Sequence, residues 1–278
     1  MAAELESSRR LLHALKQVPA KQRQLETQLT RKLQRLFSQT MRDVMRLMNE
    51  EQVTPSSDLQ YKKILMPFEE LRTSILPILD EGAEAAGQYG QNQVLRLHPK
   101  KKKALKAISP RIVQLLRAKT FEASQSTMSR MIGDVMNNLS LSAEQGLGIR
   151  VAATNLKGVL QSMNDYELLR VARTEIISSQ NLSIARTEQE LGIEYHQWWT
   201  AEDERVRDTA EASHVDMHGQ IVRVGDRFSN GLEYPGDRSG NIEEWINCRC
   251  RPVPFLMSEG KKAPSGRVHF YEGELVDL

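Results

Sequence analysis

Two cysteines and two histidines near the C-terminal end of the chain are of the residue types that hold a soft metal ion. Cys248 and Cys250 are one residue apart in Asn247-Cys248-Arg249-Cys250, and His214 and His218 are four apart. In an extended segment side chains alternate with period two, so the two thiols would share a face with their Cα atoms roughly 6.5–7 Å apart. That separation is at or past the reach of a disulfide. On a helix, positions i and i+4 also share a face. Two thiolates and two imidazoles complete a tetrahedral zinc set, and a site with four protein ligands is structural because no position stays open for water. The competing reading makes the cysteines small buried hydrophobes, with the histidines hydrogen-bonded inside their own domain.

The same stretch is rich in carboxylates. Glu202, Asp203, Glu204 and Asp208 precede His214, and an Asp/His/Cys set could serve a nuclease or a thiol hydrolase. Against this, the chain has no glycine-rich phosphate loop, no nucleophile elbow and no H-E-x-x-H pattern. Acidic residues just ahead of a helix ordinarily serve its cap and dipole. The expectation is a protein that is not an enzyme.

The elements that must position these residues follow from period and punctuation. Glu194–Trp199, Gln220–Val224 and Trp245–Arg251 read as strands, with Pro252 and Pro254 restricting pairing beyond the third. Asp203 to about Met217 has helical character. Gly225-Asp226 and Tyr234-Pro235-Gly236-Asp237 are turns.

Ahead of this small α+β domain the pattern is helical. Pro19 suits a first helical turn. The recurrence of Leu25, Leu29, Leu33, Leu36, Phe37, Met41, Val44, Met45 and Met48 then makes one apolar stripe on a long amphipathic helix. Thr54 to Asp58 reads as a loop that caps the next helix, and Pro67 and Pro77 predict short or kinked helices. Gly82 to Gly90 reads as a turn or a close helix contact. Ser109-Pro110 starts a further helix, and Ser142-Ala-Glu-Gln145 matches a capping box ahead of Gly146 and Gly148. Val151–Met163 is a short helix, and Asp165 opens one that stops at Gly192.

The predicted architecture is therefore a mainly α N-terminal region of long helices (1–164) and a small α+β domain (165–256, with a linking helix at 165–192). A tail follows at 257–278. The balanced net charge of +2 excludes a wholly basic nucleic-acid coat. Contact with DNA would need the local run Lys100, Lys101, Lys102, Lys103, extended by Lys106, which could neutralise phosphates without reading sequence. Such a run is otherwise a solvated face. Two Cys in 278 residues are no disulfide framework. The N-terminus lacks a signal-peptide core, and no run approaches the roughly 18–20 apolar residues that span a bilayer. A soluble protein made in a cytoplasm is expected, with no membrane partner.

One set of residues in order supports a sharper reading. Ala172-Arg173-Thr174-Glu175, Trp198-Trp199, Asp203-x-Arg205-x-Arg207, His214 ahead of Gly219, and Asn247-Cys248-Arg249-Cys250 follow one another, with Phe228 and Tyr234–Asp237 between. Over about 165–255 this resembles the Mu F-like minor head, or head morphogenesis, proteins of tailed bacteriophages. His218 stands where that family more often carries a small acid or amide, which makes Asp203 an alternative fourth ligand. The resemblance implies a minor capsid protein of the virion. It would associate with the portal inside the head, meet it in the host cytoplasm during assembly, and assist head assembly and DNA packaging or ejection. Major capsid or scaffold protein and packaged DNA are further partners on this reading. The alternative is a virion-delivered, metal-dependent enzyme or effector acting on DNA through His214, Cys248 and Cys250.

Overall fold

A computed structural model describes residues 2–50, 58–97, 108–147, 149–162, 166–255, 268–271 and 274–277. The fold is mainly helical, with a small C-terminal sheet. In order come α1 (Ala2–Glu50), α2 (Asp58–Leu97), α3 (Pro110–Glu144), α4 (Ile149–Ser162), α5 (Leu168–Leu191), β1 (Tyr195–Trp199), α6 (His214–Met217), β2 (Ile221–Arg223), α7 (Ile242–Trp245) and β3 (Arg251–Phe255). A final antiparallel hairpin pairs β4 (Val268–Tyr271) with β5 (Glu274–Asp277).

The chain divides into two compact units. One comprises Met1–Leu25, Ala83–Leu116 and Arg173–Leu278, and the other Glu26–Gly82 and Arg117–Ala172. In the second unit α1 buries Leu29, Leu33, Phe37, Val44 and Met48, at the three- and four-residue spacing of a helical stripe. Leu36, Met41 and Met45 flank that stripe half-buried. The stripe is therefore core, not a free docking face. α2 buries Phe68, Leu71, Ile75 and Leu79 in the same rhythm, and Lys32 on α1 pairs with Glu81 on α2 at 2.5 Å. Glu167 draws Arg130 of α3 to 2.6 Å and also pairs with Arg170.

Prolines and glycines account for several departures from the sequence reading. α1 runs from Ala2 straight through Pro19, and α2 is continuous through Pro67 and Pro77. Each proline removes one intrahelical donor, a loss that burial along a 40-residue helix can outweigh. Ser142 does not open a helix but lies buried in the last turn of α3. Leu147 N bonds Ser142 O, and Gly146 N, at φ +62°, bonds Ala143 O. This pair of bonds is a helix stop that satisfies the last carbonyls. Gly192 ends α5 in the same way, as its position in the sequence predicts. Gly87 and Gly90 lie within α2, where Gly87 O accepts a 2.6 Å hydrogen bond from Ser183 Oγ of α5. The glycine stretch is thus a close helix contact, not a turn.

The first unit is organised by α5, which is buried nearly all round from Val171 to Glu188. One side packs Ile184 and Leu191 with Val94 and Leu95 of α2 and with Ile193. Leu182 and Ala185 pack with Ile112 and Leu116 of α3 and with Tyr234. The sheet has the order β2-β1-β3, all antiparallel. The third strand begins only at Arg251, so Pro252 and Pro254 lie inside it, opposite Trp198 and His196. An edge strand tolerates this because every second N–H points away from its single neighbour. Residues 246–250, expected as strand, instead follow the short helix α7 as an irregular loop. The 203–217 segment is helical only over α6; Glu202 (φ +54°) opens an otherwise irregular run.

Candidate metal centre

α5 carries an unusual load of buried polar side chains: Thr174, Glu175, Ser178, Ser179, Gln180, Asn181, Ser183, Thr187 and Glu188. Buried polar groups require partners, and several of these find theirs in the backbone of the C-terminal loops. Ser178 Oγ donates to Gly236 O at 2.8 Å, and Asn181 Nδ2 donates to both Pro235 O and Cys250 O at 2.8 Å. Thr174 Oγ1 accepts from Asn247 N at 2.9 Å, while Arg173 Nη1 donates to Asn247 Oδ1 at 3.0 Å. Asn247 has φ +52°, a left-handed conformation that Asn adopts more readily than most residues. The chain reverses there, and Cys248 and Cys250 emerge on one side of the reversal.

Both thiols converge on a single imidazole nitrogen. Cys250 Sγ is 3.5 Å and Cys248 Sγ 3.7 Å from His214 Nδ1, and the three ligand atoms all lie within 4.8 Å of one another. All three residues are buried, and the cysteines are free thiols. A tetrahedral zinc with Zn–S near 2.3 Å and Zn–N near 2.05 Å has S···N edges of about 3.5–3.6 Å. The two S···N separations match such edges, so the trio can face one shared ion. Cys250 N donates to Cys248 Sγ at 3.4 Å, a bond that favours the thiolate.

The outer contacts orient the imidazole. Glu244 of α7 places Oε2 3.1 Å from His214 Nε2, and Asn230 Nδ2 donates to the same oxygen at 2.9 Å. A carboxylate can only accept, so His214 Nε2 carries a proton, which leaves Nδ1 as the ring nitrogen that can face a metal. Trp198, fully buried, meets His214 edge-on at 5.4 Å between ring centroids, within a core of Met217, Phe228, Leu232 and the two cysteines. Replacing Glu244 by Gln removes the charge behind the imidazole, and an outer partner of this kind is worth roughly 10–100-fold in metal affinity. We expect a loss of that size in competition with a chromophoric chelator. Unchanged affinity would show that His214 does not present Nδ1 to a metal.

Electrostatics separate the two thiols. Hydrogen bonding from Cys250, with His214 alongside, holds Cys248 well below the ordinary thiol range despite burial. Burial and the neighbouring Cys248 push Cys250 well above it. Burial opposes a charge on His214, but Cys248 and Glu244 outweigh it and raise the imidazole. A bound cation would take the place of the protons that such a cluster otherwise shares.

The other sequence candidates fall elsewhere. His218 follows the last residue of α6, and its Nδ1 engages Thr200 Oγ1 at 2.8 Å and accepts from Thr200 N at 3.3 Å. Its Nε2 is 3.4 Å from Glu202, and its ring packs on Trp199. It does not join the cluster, because α6 ends at Met217 and breaks the helical i,i+4 register. Asp203 is clamped by both Arg249 amino groups at 2.5 Å and accepts from Arg205 N. Arg249 holds its carboxyl far below the usual range, so Asp203 braces Arg249 instead of reaching the thiols. Arg207 Nη2 donates to Ile246 O at 2.8 Å. Gly219, at φ +86°, donates its N–H to Trp198 O. Glu175, buried against Arg238, has its carboxyl raised by that burial. Lys100–Lys103 and Lys106 lie outside the described residues.

Several motif residues thus converge on the loop that carries the cysteines. Arg173, Thr174 and Arg207 fix the loop around Asn247, while Asp203 fixes Arg249 and Trp198 walls the thiols. Comparison with known proteins meets the same stretch: residues 133–253 match the family described as phage Mu protein F like protein. That segment is Mu F-like. The match begins within α3, ahead of the Arg-Thr-Glu motif, and ends in β3. The family suggests a phage head morphogenesis protein. No match was found among curated proteins or among solved structures. Among the described residues no helix is long and apolar enough to cross a membrane.

Glu244, Asn181 and Asn230 are the site residues that the sequence reading missed, and Arg249 entered it only as part of the Asn-Cys-Arg-Cys run. For Asn181 a signal existed: Ser178-Ser179-Gln180-Asn181 puts four polar residues in a row, covering every face of a helix that must still pack.

Proposed function

We propose that this protein is a minor capsid protein of a tailed bacteriophage. On this reading it is a non-enzymatic virion component that associates with the portal inside the head and assists head assembly and DNA packaging or ejection. It meets the portal in the host cytoplasm as heads assemble. The Mu F-like match over residues 133–253 carries the reading, because it spans the whole apparatus that fixes the Cys loop. We further propose that His214, Cys248 and Cys250 hold one structural zinc, tying α6 to the loop before β3. The fit of the ligand separations to a tetrahedral edge supports zinc, and thiolate with imidazole is its usual donor set.

Partner docking falls to the helical region. Its buried stripe at Leu29 and Leu33 is unsuited to that task, since a charge placed there reports folding and not docking. Phe121 and Leu141 on α3 are half exposed, each at or just above 50%, and are better probes of a portal contact. The Lys100–Lys103 run with Lys106 is assigned to packaged DNA. Co-sedimentation of the full chain with purified portal rings of its own phage tests the reading. We expect binding, weakened about tenfold or more by Phe121→Glu with Leu141→Glu, since a charge forced into a desolvated contact is costly. A wild-type chain that stays in the supernatant with both portal rings and procapsids would sink the portal role.

A further inference from the structure

The three metal-binding candidates share more than an ion site. His214, Cys248 and Cys250 all line one cavity of about 150 Å³, whose wall also includes Arg205, Arg207 and Arg249. A volume of that order holds a few waters or one small oxyanion, taking roughly 30 Å³ per water. Among the described residues no fourth His, Cys, Asp or Glu reaches the three ligand atoms. A tetrahedral ion bound there would have one corner without a protein ligand, as in sites that keep an open position.

The cavity walls carry surplus positive charge. Two thiolates cancel a divalent ion. Asp203, clamped to Arg249, and Glu244, behind His214, offset two of the three guanidiniums, and one positive charge remains. A second observation points the same way. Arg207 spends Nη2 on Ile246 O, but its Nη1 is buried with no hydrogen-bond partner. A guanidinium nitrogen cut off from water is costly to leave unpaired, and the planar fork of arginine suits an oxyanion.

We infer that this is an open metal centre whose fourth ligand is a phosphate group, cradled by Arg207 and Arg205. The inference rests on the metal reading above and goes beyond a structural staple held by three residues. The phosphate could come from free inorganic phosphate or from the end of a nucleic-acid strand. The chemistry is shared, and the cavity admits a terminal phosphate but not a base pair.

Cobalt(II) loaded into the full-length chain tests it. Thiolate-to-cobalt charge transfer reports the two cysteines, and the visible ligand-field bands report the fourth ligand. We expect inorganic phosphate to shift the ligand-field bands saturably while the charge-transfer band persists. Arg205→Gln, at a largely exposed side chain 3.4 Å from Asp203, should keep the charge-transfer band, showing that the site is intact, and weaken the phosphate response about tenfold or more, the scale of one charge-assisted hydrogen bond. A 5′-phosphorylated oligonucleotide that reproduces the shift when its unphosphorylated twin does not assigns the site to strand ends. A response confined to inorganic phosphate assigns it to the free ion. Acetate matching phosphate, or Arg205→Gln responding like wild type, overturns the phosphate cradle. Ligand-field bands indifferent to phosphate, beside an intact charge-transfer band, overturn the open position and leave the metal standing. Absence of the charge-transfer band removes the metal reading and this inference together.

Discussion

If His214, Cys248 and Cys250 hold zinc as proposed, Cys248→Ser should abolish metal binding and destabilise the C-terminal domain. A serine hydroxyl is not deprotonated near neutral pH and is a poor zinc ligand, so one of only three donors disappears. Loss of a direct ligand should exceed the roughly 10–100-fold penalty for losing an outer partner. Because binding free energy at such a site is also folding free energy, the β2-β1-β3 sheet and its loops should loosen with it. The helices of the second unit should survive, since they bury residues of their own such as Leu29, Leu33, Phe37, Phe68 and Leu71. The expected result is one zinc per wild-type chain by elemental analysis and none in the variant. Trp198 emission should shift to the red while most far-ultraviolet helicity is kept. Wild-type protein with no metal, and a Cys248→Ser variant with unchanged tryptophan emission, would leave Asn247–Cys250 as a packing loop.

Gly90→Ala should be destabilising even though alanine is the better helix former. In the middle of α2 the exchange gains about 1 kcal/mol of helix propensity. A methyl at Gly90, however, would stand 2.4 Å from the backbone oxygen of Gln180 and 3.1 Å from Ile184 Cγ1 on α5. The nearer atom is main chain and cannot swing aside. Relief requires α2 and α5 to move apart, which also strains the Ser183–Gly87 hydrogen bond. Overpacking of this kind costs about 1–3 kcal/mol or more, and the backbone contact places Gly90 at the upper end. We expect a net loss of about 2 kcal/mol, or a fall in Tm of roughly 4–8 °C. Gly133 and Gly158, in α3 and α4, have nothing within 4 Å of the added methyl, and alanine there should stabilise by about 0.5–1 kcal/mol. A Gly90→Ala variant that melts above wild type would mean that the two helices do not approach as described.

Much of this architecture was legible beforehand, and the reasons differ by element. The apolar rhythm of Leu29, Leu33, Phe37, Val44 and Met48 identifies a buried helix face because burial and period reinforce each other. β1 was legible because Tyr195–Trp199 is short, bulky and closed by glycine on its N-terminal side. Prolines misled twice: a local rule against Pro19, Pro67 and Pro77 within helices lost to the length of the helices around them. Pro252 and Pro254 argued against strand but lie on an edge, where their missing donors are needed by no neighbour. At the site, Cys248, Cys250 and His214 announced themselves by type, and their convergence followed. His218 was drawn in by helical spacing that a four-residue helix cannot sustain. Glu244 was invisible and Asn181 showed only as part of a polar run, because their partners depend on long-range placement: they lie 30 and 69 residues from the groups they orient.

The prolines of β3 have one more consequence. A three-stranded sheet has two edges, and an exposed edge can recruit a strand from another molecule. Along β3 the outward N–H groups that such a visitor would bond are missing at Pro252 and Pro254, opposite Trp198 and His196. That side of the sheet cannot be extended by strand addition. The residues that complicate the strand assignment also close this edge to a visiting strand.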